Sequence, residues 1–592
     1  MIASDDVIRV RDRYYILATS TLADERTRVL KHDDTFAIFD RQGDIRSLGS
    51  WQQGLFQGDT RMLSRLELHV GAARPLLLSS TVTEDNSVLA VDLTNPDLDL
   101  DGRPLARDTV HILRSVCLWQ RCCSMRLRLL SFGSETVHLP VQLSFDADFA
   151  DMFEVRGTAR GRRGELLPAE TEAGQVRLSY RGLDQRLRAV TLGFDPPPTR
   201  LSAGSASWDV ALEPGQNQLL RVAVTCEAEG RVPAPLLFEA ARAAQVGALR
   251  ASSDSACRIV TSSEQFNEWL NRSAADLHMM MTSTPAGPYP YAGVPWFSAP
   301  FGRDGIITAF ETLWVEPAIA AGVLRFLAAT QATETIPEQD AEPGKIVHEM
   351  RTGEMAALGE VPFGRYYGSV DATPLFVLLA ASYHEATADT ALIEAIWPAV
   401  ERALGWLARH GDVDGDGYVE YARRTQAGLA HQGWKDSQDP ISHEDGSLAR
   451  GAIALCEVQA YAHGAWLGAA RLAEALGMGG AGHRARGDAL REQFERDFWC
   501  EELGTYAIAL DGDKRQCRVR SSNAGHVLFT GTASPERAER VARALMAEDS
   551  FSGWGVRTLS GRERRYNPMS YHNGSVWPHD NAIVAAGMAR YG

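Results

Sequence analysis

TPLFVLLAASYHEA (373–386) is apolar nearly all round. The stretch after it is striped instead: Leu392, Ile396, Val400 and Leu404 fall four apart, and Ile393, Trp397 and Leu407 widen the band. A helix that is apolar on every side must be enclosed, whereas a striped one covers something with a single face. The pair therefore reads as an inner helix backed by an outer one. The same alternation recurs at GSLARGAIALCEVQAYAHGAWLGAARLAEALG (446–477), followed by HRARGDALREQFERDFW (483–499). Repeated pairing of this kind predicts helical hairpins stacked side by side from residue 263 to 592.

Upstream the pattern changes. SMRLRLLSF (124–132) and TVHLPVQLSFDADF (136–149) alternate apolar and polar residues, and short segments bounded by Gly, Pro, Asp and Asn follow one another closely. Residues 1–228 are expected to form an antiparallel β-sandwich. The Ala-rich stretch PAPLLFEAARAAQVGALRAS (233–252) falls within 229–262, which reads as a helical linker. A multidomain chain of this kind agrees with a length of 592 residues.

Composition narrows the partners. The net charge of −16 disfavours nucleic acid, which calls for a basic face, and suits a neutral ligand. The eight cysteines are sparse and show no zinc-type spacing, so reduced structural thiols are expected. The first 20 residues lack the apolar core of a signal peptide, and no run of 18 apolar residues occurs. The expectation is a cytoplasmic protein with no membrane partner. The chain has no G-x-S-x-G elbow, no Walker loop and no dinucleotide fingerprint after a strand, and no cofactor is expected.

Four loops between the helices concentrate the polar chemistry. VPWFSAPFGRDGIITAFET (294–312) offers Trp296, Phe297, Arg303 and Asp304, the last also placed to cap the helix that follows. KIVHEMRTGE and FGRYYGSVDATPLF (345–376) offer His348, Glu349, Tyr367 and Asp371, with Asp371 at an N-cap position. HQGWKDSQDPISHEDGS (431–447) sets Trp434, Lys435 and Asp436 side by side. An aromatic ring beside an acid suits a sugar: the ring stacks on the pyranose and the carboxyl handles protons. A lysine next to a general acid would lower the pKa that the acid needs raised, so Lys435 is expected to reach substrate hydroxyls. YNPMSYHNGSVWPHDNAIVAAG (566–587) offers Asn573, Trp577, His579 and Asp580. A fifth segment, DVDGDGYVEY (412–421), resembles a calcium loop through Asp412, Asp414 and Asp416, but Arg423 stands where the closing Glu belongs. An Asp/Gly-rich turn without metal is the expectation there. With many acids and no Ser/His/Asp arrangement, two-carboxylate chemistry is the natural reading.

These motifs, with GLFQGDTRMLSRLEL (54–68) and SFDADFADMFEVRG (144–157) upstream, resemble the bacterial amylo-α-1,6-glucosidases of glycogen-debranching type. Those belong to a wider six-hairpin group with trehalases, glucoamylases and mannosylglycerate hydrolases. The resemblance implies an (α/α)6 barrel and inverting hydrolysis of an α-glucosidic bond in a branched, glycogen-like glucan. It implies that Asp436 protonates the leaving oxygen, and that Arg303, Asp304 and Trp434 hold the terminal glucose. The family's partner base follows the last matched segment, so the chain is expected to be incomplete beyond Gly592, and its barrel truncated. The alternatives are another six-hairpin glycosidase, trehalase-like or mannosylglycerate-hydrolase-like, and a non-catalytic glucan-binding protein.

Overall fold

Alternation upstream and helical stripes downstream produce two regions of different construction in the computed structural model. It describes residues 7–10, 13–16, 27–46, 52–100, 102–228, 236–425 and 428–592. Parts of two sequence-defined segments, 1–6 and 17–26 of the β region and 229–235 of the linker, lie outside the described residues.

The β region is antiparallel throughout but is more than one sandwich. An eight-stranded sheet runs from Glu165–Glu172 at one edge to Leu76–Val82 at the other. Beside it lie a four-stranded sheet centred on Ser205–Leu212 and Val137–Asp146, and a second four-stranded sheet over residues 28–63. Val137–Asp146 alternates buried and exposed positions along most of its length, the signature of a strand with one wet face. Its inner residues Leu139, Val141 and Leu143 join Leu127, Leu129, Val222 and Val224 in a single core.

Three helices bridge the two regions. Helix α1 (Met152–Val155) is closed by a capping box from Asp151 and Glu154. Helix α2 (Phe238–Ser255) lies within the linker segment and is docked: Phe238 and Ala241 pack with Val88 and Cys117 of the large sheet. Helix α3 (Glu264–Met280) starts at a Ser263 N-cap. At its end Lys31 of the β region donates to Thr282 Oγ1 at 3.0 Å.

The helical region continues with α4 (Gly302–Thr312), α5 (Pro317–Thr330), the short α6 (Glu354–Ala357), α7 (Ala372–Thr387), α8 (Thr390–Arg409), α9 (Cys456–Ala475), α10 (Ala481–Asp497), α11 (Asn523–Phe529), α12 (Pro535–Leu545) and α13 (Pro578–Arg590). In succession α4, α7, α9, α11 and α13 are neighbours, and α5, α8, α10 and α12 each back one of the first four. The opening stretch behaves as its pattern requires. Leu375, Phe376, Val377 and Leu379 of α7 are almost wholly buried, and α8 buries the stripe from Leu392 to Leu407. Each such large side chain contributes roughly 1.5–3 kcal/mol by leaving water. One boundary differs from the sequence reading. Residues 446–453 form a loop, and only from Cys456 does the chain become helical.

The β region does not hang from the helical one. Asp59 accepts from Arg351 Nη1 at 2.9 Å and from the backbone N–H of Thr352 and Gly353 at 2.7 and 3.2 Å. Asp151 accepts from Met355 N, and Phe153 stacks on Phe363 with centroids 5.4 Å apart. Arg160 reaches Glu354 at 3.1 Å and Glu360 at 2.7 Å. Because Asp59 and Arg351 are both nearly inaccessible, removing one strands the other in a water-poor seam. Asp59→Ala is expected to cost about 3 kcal/mol of unfolding free energy, measured by urea denaturation of the whole chain. A loss below about 0.5 kcal/mol would show the seam to be incidental.

Candidate active site

The site is assembled around Arg303. Gly302 N–H donates to His348 O at 2.9 Å, and a Cβ on Gly302 would collide with Val347 O. Only glycine permits that approach, so the start of α4 is pinned against the 345–349 segment. Arg303, next in sequence, turns into the interior. Its Nη1 donates to Gly433 O at 3.0 Å and lies 3.4 Å from Asp371 Oδ2; its Nη2 is 3.1 Å from Asp436 Oδ2. One guanidinium thus joins three of the four motif loops. Asp371 does stand at the N-cap of α7, but its own side chain makes no cap hydrogen bond. It accepts from Ser369 Oγ at 2.5 Å instead, and Ser369 caps Ala372 N. Asp304 does not cap α4 either: the N-cap is Phe301, and Asp304 Oδ2 is buried without a partner among the described residues.

The fourth loop and the segment just before it clamp the third. Lys435 Nζ donates to Thr558 O at 2.6 Å, and His572 Nδ1 meets Ser437 Oγ at 3.0 Å. Trp434 lies between them. It stacks on His526 at 5.8 Å and meets Trp577, His572 and His579 edge-on at 6.3, 5.6 and 5.2 Å. Below the ring, His526 Nε2 is 2.7 Å from Asp580 Oδ1, and His526 Nδ1 contacts Tyr461 Oη. Asp436 is therefore flanked on both sides by fixed residues, while its own side chain keeps 27% exposure.

The electrostatics separate the acids. Scarcity of water raises the Asp436 pKa; Arg303 opposes and the nearby Asp304 adds to the rise. Asp304 is raised by burial, again against Arg303. Burial would raise Asp580 too, but the hydrogen bond and charge of His526 hold it below the ordinary value. Burial lowers Lys435 to about 8, and His579 to about 4. His348 is pushed well down by burial and by Arg303 and Lys345, so it stays neutral.

Several sequence-derived candidates lie behind the site rather than in it. Lys435 does not reach outward for hydroxyls: it is 2% exposed and bound to Thr558. Trp434 cannot offer a stacking face, because its ring is enclosed by its aromatic neighbours. Tyr367 donates to Thr330 O in the core, Asp371 and Asp580 have no exposed surface, and Asn573 is buried against Asp439 O. His348 is buried edge-on between Phe301 and Tyr366, and Glu349 is held by Arg351 at 2.6 Å. Trp296, Phe297, Asp304, Trp577 and His579 retain partial exposure. Two groups were missed as site residues. Tyr571, at 44% exposure, lies in the 566–587 loop and feels the charge of Asp436 and Asp304. Glu457, buried at the start of α9 with Oε1 unpartnered among the described residues, carries no sequence signal beyond its helix. A cavity of about 770 Å³ opens elsewhere, between Tyr418, His443, Gln493, Arg496 and Lys514. Asp436 does not line it.

The acidic turn has its own occupant. Asp412, Asp414, Asp416 and Glu420 bring carboxylate oxygens within 4.8 Å of one another. Into this cluster projects Lys514, 2.9 Å from Asp414, 2.6 Å from Asp416 and in contact with Glu420. Burial opposes the lysine's charge, but hydrogen bonds to the three carboxylates raise its pKa overall.

The interhelix loops thus converge on a partly exposed carboxyl whose pKa is raised by burial, a buried arginine and a cluster of aromatic rings. Residues 30–223 match the N-terminal domain of some glycogen debranching enzymes, and residues 302–592 match the mannosylglycerate hydrolase MGH1-like glycoside hydrolase domain. The chain thus joins a domain of the type that begins some glycogen debranching enzymes to an MGH1-like glycoside hydrolase domain, a pairing that points to a carbohydrate-active enzyme. Among solved structures it is similar to a protein described as a putative kojibiose phosphorylase from the human microbiome, with 8% identity, TM-score 0.56, and coverage of 95% of this chain and 80% of that one. This likeness supports the two-region architecture. A GH63 mannosylglycerate hydrolase from Thermus thermophilus, in complex with Tris, matches at 14% identity and TM-score 0.40 over 51% of this chain and 84% of its own. No curated protein sequence matches the chain. Among the described residues no helix is long and apolar enough to cross a membrane.

Since an ammonium already sits among the acidic-turn carboxylates, added calcium is expected to leave the melting temperature of the natural chain unchanged. Lys514→Met removes that cation and leaves Glu420 buried without it. The variant should melt lower, and millimolar calcium should restore it through oxygen ligation. A calcium-dependent rise in the natural chain would show that Lys514 yields to the metal.

Proposed function

We propose that the chain hydrolyses α-glucosidic bonds of a branched, glycogen-like glucan, the α-1,6 branch in particular, with Asp436 as general acid and inversion at the anomeric carbon. The observation that carries this reading is the state of Asp436: an accessible carboxyl on a clamped loop, with its pKa raised by loss of water. A general acid must keep its proton at working pH. Arg303 moderates the rise and fixes the carboxyl's direction. Trp296, Phe297 and Trp577 supply apolar surface for a pyranose, and Asp304 a hydrogen-bonding group beside it. The N-terminal match to some glycogen debranching enzymes supports a glucan over a small disaccharide. The second carboxyl of an inverting pair stands about 6.5–9.5 Å from the acid. Asp580, with no exposed surface, serves His526 instead. All eight thiols are free, which fits a reducing compartment such as the cytoplasm.

The test is glucose release from a branched dextrin. Asp436→Asn is expected to lower kcat on the order of 10²–10⁴-fold while dextrin binding persists. The natural enzyme should lose kcat/KM as pH rises through the Asp436 pKa, because the deprotonated acid cannot protonate the leaving oxygen. Near-normal turnover by Asp436→Asn removes it as the acid. Cleavage of trehalose-like or glycerate-linked sugars in place of dextrin would favour another six-hairpin specificity, and binding without any turnover a glucan-binding protein.

A further inference from the structure

The β region reaches the mouth of the site through Arg156. This residue follows α1 immediately, and α1 is held against the helical region by Asp151 to Met355 N and by Phe153 on Phe363. Its position is therefore set by the seam between the regions. The guanidinium carbon lies 5.6 Å from the centre of the Phe297 ring and 6.0 Å from that of Trp296. These are the two half-exposed rings of the first motif loop. Among the described residues no carboxylate pairs with Arg156 and no acceptor takes its side-chain N–H groups. Most other arginines near the seam are paired: Arg160 with Glu354 and Glu360, Arg351 with Asp59 and Glu349, and Arg61 with Asp148. Tyr571 feels the charge of both Arg156 and Asp436.

A half-buried guanidinium pays for lost hydration unless something accepts from it. The rings return part of that through cation–π contact, but they accept none of its N–H groups. Those groups form a planar fork matched to paired oxygens. In a cleft whose other charges are mostly acidic, on a chain of net charge −16, neutral hydroxyl oxygens are the fitting acceptors.

We infer that Arg156, Trp296 and Phe297 form a leaving-group subsite spanning the two regions, in which Arg156 donates to neighbouring hydroxyls of a neutral sugar residue beyond the cleaved bond. This rests on the glycosidase reading above and adds which part of the molecule selects the leaving group. The β region is then part of the binding surface.

The experiment compares Arg156→Ala and Arg156→Lys with the natural full chain on two substrates, isomaltotriose and 4-nitrophenyl α-glucoside. The aryl group offers no hydroxyls to the subsite. Arg156→Ala should raise KM for isomaltotriose on the order of tenfold more than for the aryl glucoside, with kcat moved less. Arg156→Lys, which keeps the charge but loses the fork, should fall between. Equal losses on both substrates, or none, overturn the proposal. If the natural chain cleaves neither, the glycosidase reading fails separately. Isomaltotriose binding, followed by tryptophan fluorescence, then decides Arg156: weakening by the alanine variant supports the subsite, and no weakening, or no binding by the natural chain, overturns it. Tighter, salt-sensitive binding of an α-glucoside carrying a carboxylate in its leaving group would overturn the assignment to neutral hydroxyls.

Discussion

One guanidinium ties the site together. Arg303 comes from the first turn of α4, yet its contacts are the Gly433 carbonyl, Asp371 at the start of α7, and Asp436. Few side chains could serve three loops at once. The planar fork presents several N–H groups in fixed directions and cannot lose its charge. Buried with that charge, it needs carboxylates around it, and the carboxylates need it. The cost of stranding any one member holds the loops in register. It also sets the balance at Asp436: burial lifts its pKa and Arg303 limits the lift.

Around this centre the aromatic and polar residues form concentric support. Trp434 is immobilised by rings, His526 orients beneath it through Asp580 and Tyr461, and Lys435 anchors the loop to Thr558. None of these touches open cleft. They convert a Gly- and Pro-punctuated loop into a rigid mount for one carboxyl, as a site needing sub-ångström placement requires.

The helical order was legible because periodicity reports burial directly: α7 and α8 follow from the contrast between an all-apolar run and a stripe. The four loops were legible because aromatic, acidic and basic residues rarely crowd in loops without purpose. What the sequence could not separate is inward from outward. Trp434, Lys435 and Asp436 are adjacent, yet only Asp436 keeps an opening, because each side chain is directed by residues far away in sequence: Trp434 by His526, Lys435 by Thr558 and Asp436 by Arg303. Asp371 and Asp580 read as ligand contacts for the same reason. The acidic turn illustrates a different limit. Its spacing resembles a cation loop, and the structure supplies a cation, but as Lys514 from a distant segment. The β region was readable as antiparallel, not as several separate sheets, since alternation reports faces and not partners.

The seam formed by Asp59, Asp151 and Arg160 with Arg351, Met355 and Glu354 has a bearing on how such chains can diverge. The segment it grips also carries Glu349, through Arg351, and lies beside the mouth of the site. A helical unit acquired by gene fusion with a foreign β unit would meet unpaired charges where it needs a buried ion pair. A graft of either unit onto a foreign partner would strand those charges unless both sides of the border changed together.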